Sequence, residues 1–254
     1  MPRIHHKPPL ASKWKKPQDA RMERITFHDF TIDAGTRAEQ QEHLRALLSE
    51  NAFHQVITIN PEYIVLAKQY PKLRALSQHV ALSLVDGVGL VFALHRSRRV
   101  ERYQGADAVA DLFNEAEHRK FTVGILIPST GLSSITLVEQ TLRTRHPMLK
   151  FVCWDDERRA LLEISQSTID ILFVAFGQPS QDFWIDEHRA QLKHVRVAMG
   201  VGGSIDFLTG KRTRAPRLMR RLGVEWLWRM VTQPKRFPRI IRATFGFWYT
   251  LLTS

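Results

Sequence analysis

The chain has little cysteine and no long apolar run. Its 254 residues include one cysteine, Cys153, which excludes an internal disulfide and suits a reducing compartment. No uncharged apolar stretch approaches the roughly 20 residues that a helix needs to span a bilayer. Residues 1–24 also lack the apolar core of a signal peptide. These absences predict a cytoplasmic protein without a membrane-spanning helix.

Acidic residues are scarce at both ends of the chain. Residues 211–254 hold eleven Lys/Arg but one acid, Glu225, and residues 1–24 hold seven basic and two acidic residues. The net charge of the whole chain is +12, whereas the segment between the two ends is mildly acidic. Basic ends of this kind favour a polyanionic partner, either nucleic acid or an anionic lipid surface. We expect a flexible basic leader (1–24), a central domain (25–210) and an Arg/Trp-rich C-terminal appendage (211–254).

The C-terminal appendage also carries aromatic residues and ends in twelve uncharged residues, 243–254. Tryptophan and tyrosine favour the membrane interface, where Lys and Arg meet anionic headgroups. Stacking on nucleic-acid bases and core packing of a C-terminal helix are the alternatives. A membrane surface is favoured because the apolar cluster follows the charges instead of alternating with them. The expected membrane-contacting residues are Trp226, Trp228, Lys235, Arg236, Arg239, Arg242 and Trp248.

Apolar runs alternate with amphipathic runs throughout the central domain. The runs predict strands over residues 27–32, 56–59, 80–85, 121–127, 150–153, 169–176 and 195–199, with a helix after most of them. The run 169–176 is almost wholly apolar, as expected for a parallel strand covered on both faces. The pattern therefore predicts an α/β fold: a Rossmann-like, mostly parallel sheet sandwiched by helices, with a basic amphipathic C-terminal helical appendage.

Polar residues stand where two predicted strands end. Thr58 and Asn60 close one strand, and Asp86 follows another. The carboxyl ends of parallel strands form the edge at which such sheets keep their sites. A carboxylate fixed there is a suitable general base. The alternatives are that Asn60 caps the next helix and that Asp86 is a turn residue of the pair Asp86-Gly87.

A glycine turn, Gly200 to Gly203, follows the last predicted strand. It brings bare backbone N–H groups to the strand end, where α/β sheets bind phosphorylated ligands. Arginines behind the turn would add charge with bidentate geometry for phosphate. A tight strand-to-helix turn followed by a solvated basic helix explains the same pattern, and spacing alone does not separate the two.

Several short motifs occur together in a fixed order. They are Thr58-Ile59-Asn60, Val85-Asp86-Gly87-Val88-Gly89, Arg102 with Gly105 and Asp107, Gly177-x-Pro179-x-Gln181-Asp182-x-x-Trp184, Gly200-Val201-Gly202-Gly203 with Asp206-Phe207, Arg214-Ala215-Pro216, Glu225-Trp226-Leu227, Arg229, and Pro234-x-Arg236. With these motifs, residues 25–242 resemble the WecG/TagA/CpsF family of bacterial glycosyltransferases (glycosyltransferase family 26).

The resemblance implies an inverting transferase, peripheral on the inner face of the cell membrane. It would move N-acetylmannosamine, its uronate or a related hexose from a UDP donor to a sugar on undecaprenyl diphosphate, in cell-surface polysaccharide synthesis. In this reading Asp86 deprotonates the acceptor hydroxyl. The substrate-binding residues would be Thr58, Asn60, Arg102, Asp107, Gln181, Arg214, Arg221 and Arg229, to which spacing adds Gly200, Gly202 and Gly203 for the donor diphosphate.

The sequence contains no D-x-D pair, the motif with which metal-dependent transferases hold a divalent ion. Arginines and backbone N–H groups can stabilise a leaving diphosphate instead, so we expect a metal-independent reaction and no cofactor. The chain departs from the family at Leu126–Gly131 and Cys153–Glu157, where family glycines are missing, which would weaken close approach to a nucleotide.

Two other functions stay open. A nucleic-acid-binding protein would use the basic ends and bind with a steep salt dependence, but it does not explain the polar residues at strand ends, and we expect no nucleic-acid partner. A weakly active membrane scaffold for polysaccharide assembly would explain the missing glycines but not the intact Asp86. An exposed apolar edge on a membrane-bound enzyme would favour a homo-oligomer.

Overall fold

The computed structural model describes residues 22–94, 100–232 and 237–253, without the side chains of residues 221, 237, 239, 240, 242 and 251–253. The strands are β1 (Glu23–Phe27), β2 (Phe30–Ala34), β3 (His54–Ile59), β4 (Leu82–Val85), β5 (Thr122–Leu126), β6 (Lys150–Trp154), β7 (Ile171–Val174) and β8 (Val197–Gly200).

Helices follow most strands, as the alternating pattern predicts. They are α1 (Arg37–Ser49), α2 (Pro61–Leu66), α3 (Lys72–His79), α4 (Val88–Leu94), α5 (Gly105–Arg119), α6 (Ile135–Arg145), α7 (Glu157–Gln166), α8 (Ser180–Glu187), α9 (Ser204–Leu208), α10 (Arg217–Arg221), α11 (Glu225–Thr232) and α12 (Phe237–Thr253). Helix α3 has no counterpart among the predicted elements.

Six strands form one parallel sheet in the order β4-β3-β8-β7-β5-β6. Buried aliphatic side chains on β3, β7 and β8 pack beneath helices on both faces of the sheet. The predicted Rossmann-like α/β fold is confirmed. After β3 the chain runs outward to β4 at one edge of the sheet, and after β5 it runs outward to β6 at the other edge. Such a reversal of direction opens a crevice at the carboxyl ends of the strands in between.

The predicted strand over residues 27–32 is wrong, because a hairpin turn lies in its middle. Strands β1 and β2 pair antiparallel with Phe27 opposite Phe30. The two residues between them, His28 and Asp29, have φ angles of 46° and 65°, and a two-residue turn with positive φ matches the twist of paired strands. The hairpin begins at Glu23, so the last two residues of the predicted leader, 23 and 24, belong to β1.

The C-terminal helices pack on the helices that follow β3 and β4. Phe247 of α12 is 1% exposed and belongs to the same apolar cluster as Tyr63 of α2 and Leu90 of α4. Core packing, one of the alternatives for the aromatic residues of this segment, therefore holds for Phe247. At the turn between α10 and α11, Gly223 lies directly against the side chain of Val88.

The contact between Gly223 and Val88 can be tested against a matched glycine. Gly223 and Gly210 both have φ of 75°, so alanine strains the backbone at either position. A Cβ at Gly223 would overlap Val88, whereas a Cβ at Gly210 would meet no atom within 4 Å. We expect Gly223→Ala to lower the free energy of unfolding by about 1–3 kcal/mol more than Gly210→Ala and to raise hydrogen exchange over residues 217–232. Equal effects of the two substitutions would show that this packing is absent in solution.

A buried carboxyl group on α8 makes stability depend on pH. Asp182 is 1% exposed, and burial raises the pKa of its carboxyl group from 3.8 to about 7, although the Gln181 amide offsets part of the rise. The folded protein therefore keeps this proton up to about pH 7, whereas the unfolded chain releases it near pH 4. Below both pKa values the carboxyl group is protonated in the folded and in the unfolded state. As the pH rises between the two pKa values, the unfolded chain loses the proton first and the folded protein becomes less stable.

Asparagine does not titrate, so Asp182→Asn lacks this loss of stability. Between pH 4 and pH 7 we expect the unfolding free energy of the variant to rise relative to that of the wild type by up to about 4 kcal/mol. Urea unfolding at several pH values measures this difference. Asp155→Asn, at an exposed position, is the control. The same pH dependence in both variants would contradict the prediction.

Candidate active site

The carboxyl ends of β3, β4, β7 and β8 meet at one cleft. Pairing of Ile59 with Val85 and of Val174 with Gly200 aligns the four strand ends. Of the residues singled out in the sequence, the cleft is lined by Thr58, Asn60, Asp86, Gln181, Gly200, Gly202, Gly203 and Arg229. Residues from five separate segments of the chain thus converge at the edge where α/β sheets bind ligands.

Asn60 caps α2 and also lines the cleft. Its Oδ1 accepts a hydrogen bond from the backbone N–H of Tyr63 (2.9 Å) and caps α2. The same residue lines the cleft beside Asp86. The cap fixes the amide side chain, so Asn60 offers its remaining polar atoms to the cleft from a rigid position.

Asp86 is held at the end of β4 by its backbone and by its carboxyl group. Its N–H donates to the carbonyl oxygen of Ile59 (2.9 Å). Its Oδ2 accepts from the N–H of Gly105 at the start of α5 (3.2 Å), and its Oδ1 lies 4.0 Å from Nε of Arg102. The side chain is 27% exposed toward the cleft, so the carboxylate is fixed and still accessible.

The surroundings make Asp86 more basic than an ordinary aspartate. Burial raises the pKa of its carboxyl group above 3.8, and Glu225 adds to the rise, whereas Arg102, the Gly105 N–H and Arg229 lower it in part. A carboxylate with a raised pKa accepts a proton more readily at neutral pH. Asp86 therefore has the position and the proton affinity of a general base.

Glu225, at the start of α11, lies in the same cleft and was not among the predicted site residues. Its Oε2 accepts from Nη2 of Arg102 (3.1 Å) and from the Gln104 amide, and its Oε1 accepts from Nη2 of Arg229 (2.8 Å). Burial alone would raise the pKa of Glu225, but Arg229, Gln104 and Arg102 together lower it. Glu225 is therefore a buried carboxylate that stays charged.

Arg214 and Asp107, both predicted to bind substrate, bind each other. Arg214 Nη2 donates to Asp107 Oδ1 and to Gln104 Oε1 (3.3 Å), and Arg37 reaches Asp107 from α1 (3.2 Å). Neither Arg214 nor Asp107 is among the residues that line the cleft. Their contacts hold the segment before α10 against α5, and a direct role in substrate binding stays a prediction.

Gln181 ties together the two loops at the end of β7 and β8. Its Oε1 accepts from the N–H of Gly177 (3.0 Å) and from the N–H of Gly202 (2.8 Å). Gly202 has φ of 48°, which favours glycine. A Cβ at Gly200 would lie 2.5 Å from Asp182 Oδ1 and 2.6 Å from the Gln181 side chain. These glycines therefore form a tight turn, and Gly202 donates its N–H within the protein.

The cleft continues past this turn toward the end of β5. This second part has a volume of about 290 Å³ and shares Gly177, Gln178, Gly202, Gly203 and Arg212 with the first part. Its far wall is the loop Pro128–Ser133. Arg212 pairs with Asp206 (3.3 Å), which also accepts from the Ser133 hydroxyl (2.9 Å). The motifs did not indicate Arg212, Gln104 or Gln178. Gln104 and Gln178 bond to residues distant in sequence, Glu225 and Thr58, whereas Arg212 pairs with the nearby Asp206.

The predicted membrane-contacting residues have different environments. Trp226 and Trp248 are 43% and 41% exposed, whereas the Trp228 indole N–H donates to the Thr213 carbonyl oxygen (3.2 Å). Lys235 and Arg236 lie outside the described residues, as do the side chains of Arg239, Arg242 and the predicted substrate-binding residue Arg221.

None of the helices within residues 22–94, 100–232 and 237–253 is long and apolar enough to cross a membrane. In the same part of the chain, no three His, Cys, Asp or Glu side chains are grouped closely enough to hold a metal ion.

Two comparisons relate the chain to known proteins. The family model described as "Glycosyl transferase WecG/TagA/CpsF family" matches residues 25–254. A protein of Bacillus spizizenii named N-acetylglucosaminyldiphosphoundecaprenol N-acetyl-beta-D-mannosaminyltransferase is 30% identical over 203 residues, which are 76% of this chain and 77% of the relative. A protein of Staphylococcus aureus with the same name is 26% identical over 224 residues, 82% of this chain and 85% of the relative. The chain therefore belongs to the WecG/TagA/CpsF family of glycosyltransferases.

Proposed function

We propose that this chain is an inverting glycosyltransferase of cell-surface polysaccharide synthesis. It transfers N-acetylmannosamine from a UDP donor to N-acetylglucosamine on undecaprenyl diphosphate. The observation that carries the proposal is Asp86, a partly exposed carboxylate with a raised pKa at the sheet edge, next to cleft arginines. The sugar and the acceptor are those in the names of the two relatives.

In the proposed reaction, Asp86 takes the proton of the acceptor hydroxyl. The hydroxyl oxygen attacks the anomeric carbon of the donor from the face opposite UDP, and a new C–O bond forms. The bond from the anomeric carbon to the diphosphate breaks, and its electron pair stays on the diphosphate oxygen. One displacement inverts the anomeric configuration. Asp86 suits the first step because its pKa is raised.

The leaving diphosphate needs positive charge, and the cleft supplies it as arginine. Arg229 lines the part near Asp86, and Arg212 lines both parts. The Arg212 guanidinium would lie 2.9 Å from a Cβ at Gly203, so it lies directly at the glycine turn proposed for the diphosphate. Guanidinium groups bind phosphate oxygens bidentately. In this arrangement the nucleotide extends toward Pro128–Ser133, and no divalent ion is required.

The test of this function is transfer activity with Asp86→Asn. A panel of UDP-N-acetylhexosamines, including UDP-N-acetylmannosamine and its uronate, is offered with an N-acetylglucosaminyl-diphosphoprenyl acceptor in the presence of EDTA. We expect the wild type to form product with inverted configuration, and Asp86→Asn to be about 10²–10⁴-fold slower, because the base is lost. Asp29→Asn, at an exposed position in the turn between β1 and β2, is the control.

Full activity of Asp86→Asn would remove Asp86 from the mechanism. Loss of turnover in EDTA, restored by Mg²⁺ or Mn²⁺, would contradict the metal-independent reaction. Product with none of the donors, from a protein that folds and binds lipid, would favour the scaffold function.

We further propose that the C-terminal helices and α4 rest on the anionic inner face of the membrane, where the acceptor lies. Exposed aromatic side chains from both parts of the chain support this: Phe92, Trp226, Phe245, Trp248 and Tyr249. The Phe92 and Trp248 rings are 5.9 Å apart, so the aromatic surface is continuous between α4 and α12. Because α4 begins two residues after Asp86, this surface is next to the edge of the sheet that carries Asp86.

Phe92→Ser tests whether the membrane surface extends to α4. Phe92 is 66% exposed, so serine there removes little packing apart from the ring contact with Trp248. We expect the variant to bind anionic vesicles several-fold more weakly and to lose activity with a long-chain acceptor while keeping it with a short-chain one. Vesicle flotation and the two assays measure this.

Met148→Ser is the matched control, since Met148 is 79% exposed and precedes β6 at the opposite edge of the sheet. Equal vesicle binding by wild type and both variants would remove α4 from the membrane surface.

A further inference from the structure

Glu225 is the one acidic residue among residues 211–254, where eleven residues are basic. It is 7% exposed and lines the cleft together with Asp86. Burying a carboxylate costs several kcal/mol unless charged partners and hydrogen bonds compensate. A buried acid in this segment therefore needs specific partners, and its contacts define its role.

The contacts of Glu225 join two parts of the chain. Arg229 belongs to the same helix as Glu225, whereas Arg102 and Gln104 lie in the segment before α5. Nη2 of Arg102 donates to Glu225 Oε2 (3.1 Å) while its Nε lies 4.0 Å from Asp86 Oδ1. Arg102 is thus shared between two carboxylates, and Glu225 holds it at the longer distance from Asp86.

We propose that Glu225 is a positioning residue. It fastens α11 next to the end of β4, where Asp86 lies, and it keeps Arg102 and Arg229 from making Asp86 a weaker base. The proposal rests on the transferase function for its kinetic part only. The fastening of α11 is a property of the protein without substrate.

The charges around Asp86 show what removal of Glu225 would change. Arg102 approaches Asp86 from the segment before α5, Glu225 and Arg229 from α11, and Glu62 of α2 lines the same cleft. The two arginines lower the pKa of Asp86 and Glu225 raises it. Without the Glu225 charge, both arginines lose a partner and act more strongly on Asp86. The pKa of Asp86 then falls, and it becomes a weaker base.

The experiment compares Glu225→Gln, Glu225→Asp and the control Glu42→Gln in the intact chain. Glutamine keeps the size of the side chain and removes its charge, whereas aspartate keeps the charge and shortens the reach. Glu42 is exposed on α1 and lines neither part of the cleft. Three readouts are taken: hydrogen exchange over residues 225–232 without substrate, kcat and KM for both substrates, and the pH dependence of kcat/KM.

We expect Glu225→Gln to raise hydrogen exchange in α11 several-fold, to lower kcat about tenfold, and to move the acidic limb of the pH profile to lower pH. Glu225→Asp should raise exchange but leave the acidic limb in place, because the charge is retained. Glu42→Gln should match the wild type in all three readouts. A purely structural role of Glu225 would change exchange without moving the acidic limb of Glu225→Gln.

Arg102→Gln provides a second test. In that background, Glu225→Gln should move the acidic limb less than it does in the wild type, because Arg102 transmits part of the effect. An unchanged acidic limb and kcat in Glu225→Gln would overturn the positioning role, and unchanged exchange would overturn the fastening of α11. If the wild type transfers no sugar, the transferase function fails, while the exchange data still decide whether Glu225 fastens α11.

Discussion

Under the proposed function, the site depends on one constraint: the Asp86 carboxylate has to stay basic although arginines lie beside it. Arg102 lies 4.0 Å from Asp86, and an unopposed guanidinium at that distance would favour the ionised carboxylate and lower its proton affinity. Burial at the end of β4 acts in the opposite direction and dominates, so the pKa of Asp86 is raised. The sheet provides the burial, and Glu225 takes up part of the positive charge. The fold and the C-terminal helices thus both contribute to the chemistry of one residue.

Packing joins the C-terminal helices to the body more closely than charge alone indicates. The division proposed at residue 211 follows a change in composition, yet Phe247 is 1% exposed in the apolar cluster that contains Tyr63. Gly223 lies against Val88, and Glu225 binds Arg102. These contacts all reach α2, α4 or the segment before α5, and of these α2 and the segment before α5 line the cleft. A truncation before α10 would remove part of the core as well as any lipid contact, so single substitutions separate these roles better.

The sequence predicts what depends on local pattern. Alternating apolar and amphipathic runs identify the parallel sheet, and the position of Asp86 after a buried strand places it at the correct edge. The β1–β2 turn was missed because His28 and Asp29 adopt positive φ without the glycine that marks such turns. Glu225 stands in one of the motifs but received no role in the site, because a single acid in a basic segment has the pattern of a surface residue. Its partners Arg102 and Gln104 are more than 100 positions away, and only tertiary structure brings them together.

Every arginine described in the cleft and beside it has a carboxylate partner within the protein. Arg102 and Arg229 share Glu225, Arg212 pairs with Asp206, and Arg214 pairs with Asp107. A phosphate that enters must therefore join or replace an existing ion pair, and the gain in Coulomb energy is smaller than at a free arginine. The pairs hold the guanidinium groups in place beforehand, which reduces the entropy lost on binding. Under the proposed function, such a cleft favours correct placement of two diphosphate substrates over tight binding of either one, as catalysis by differential binding requires.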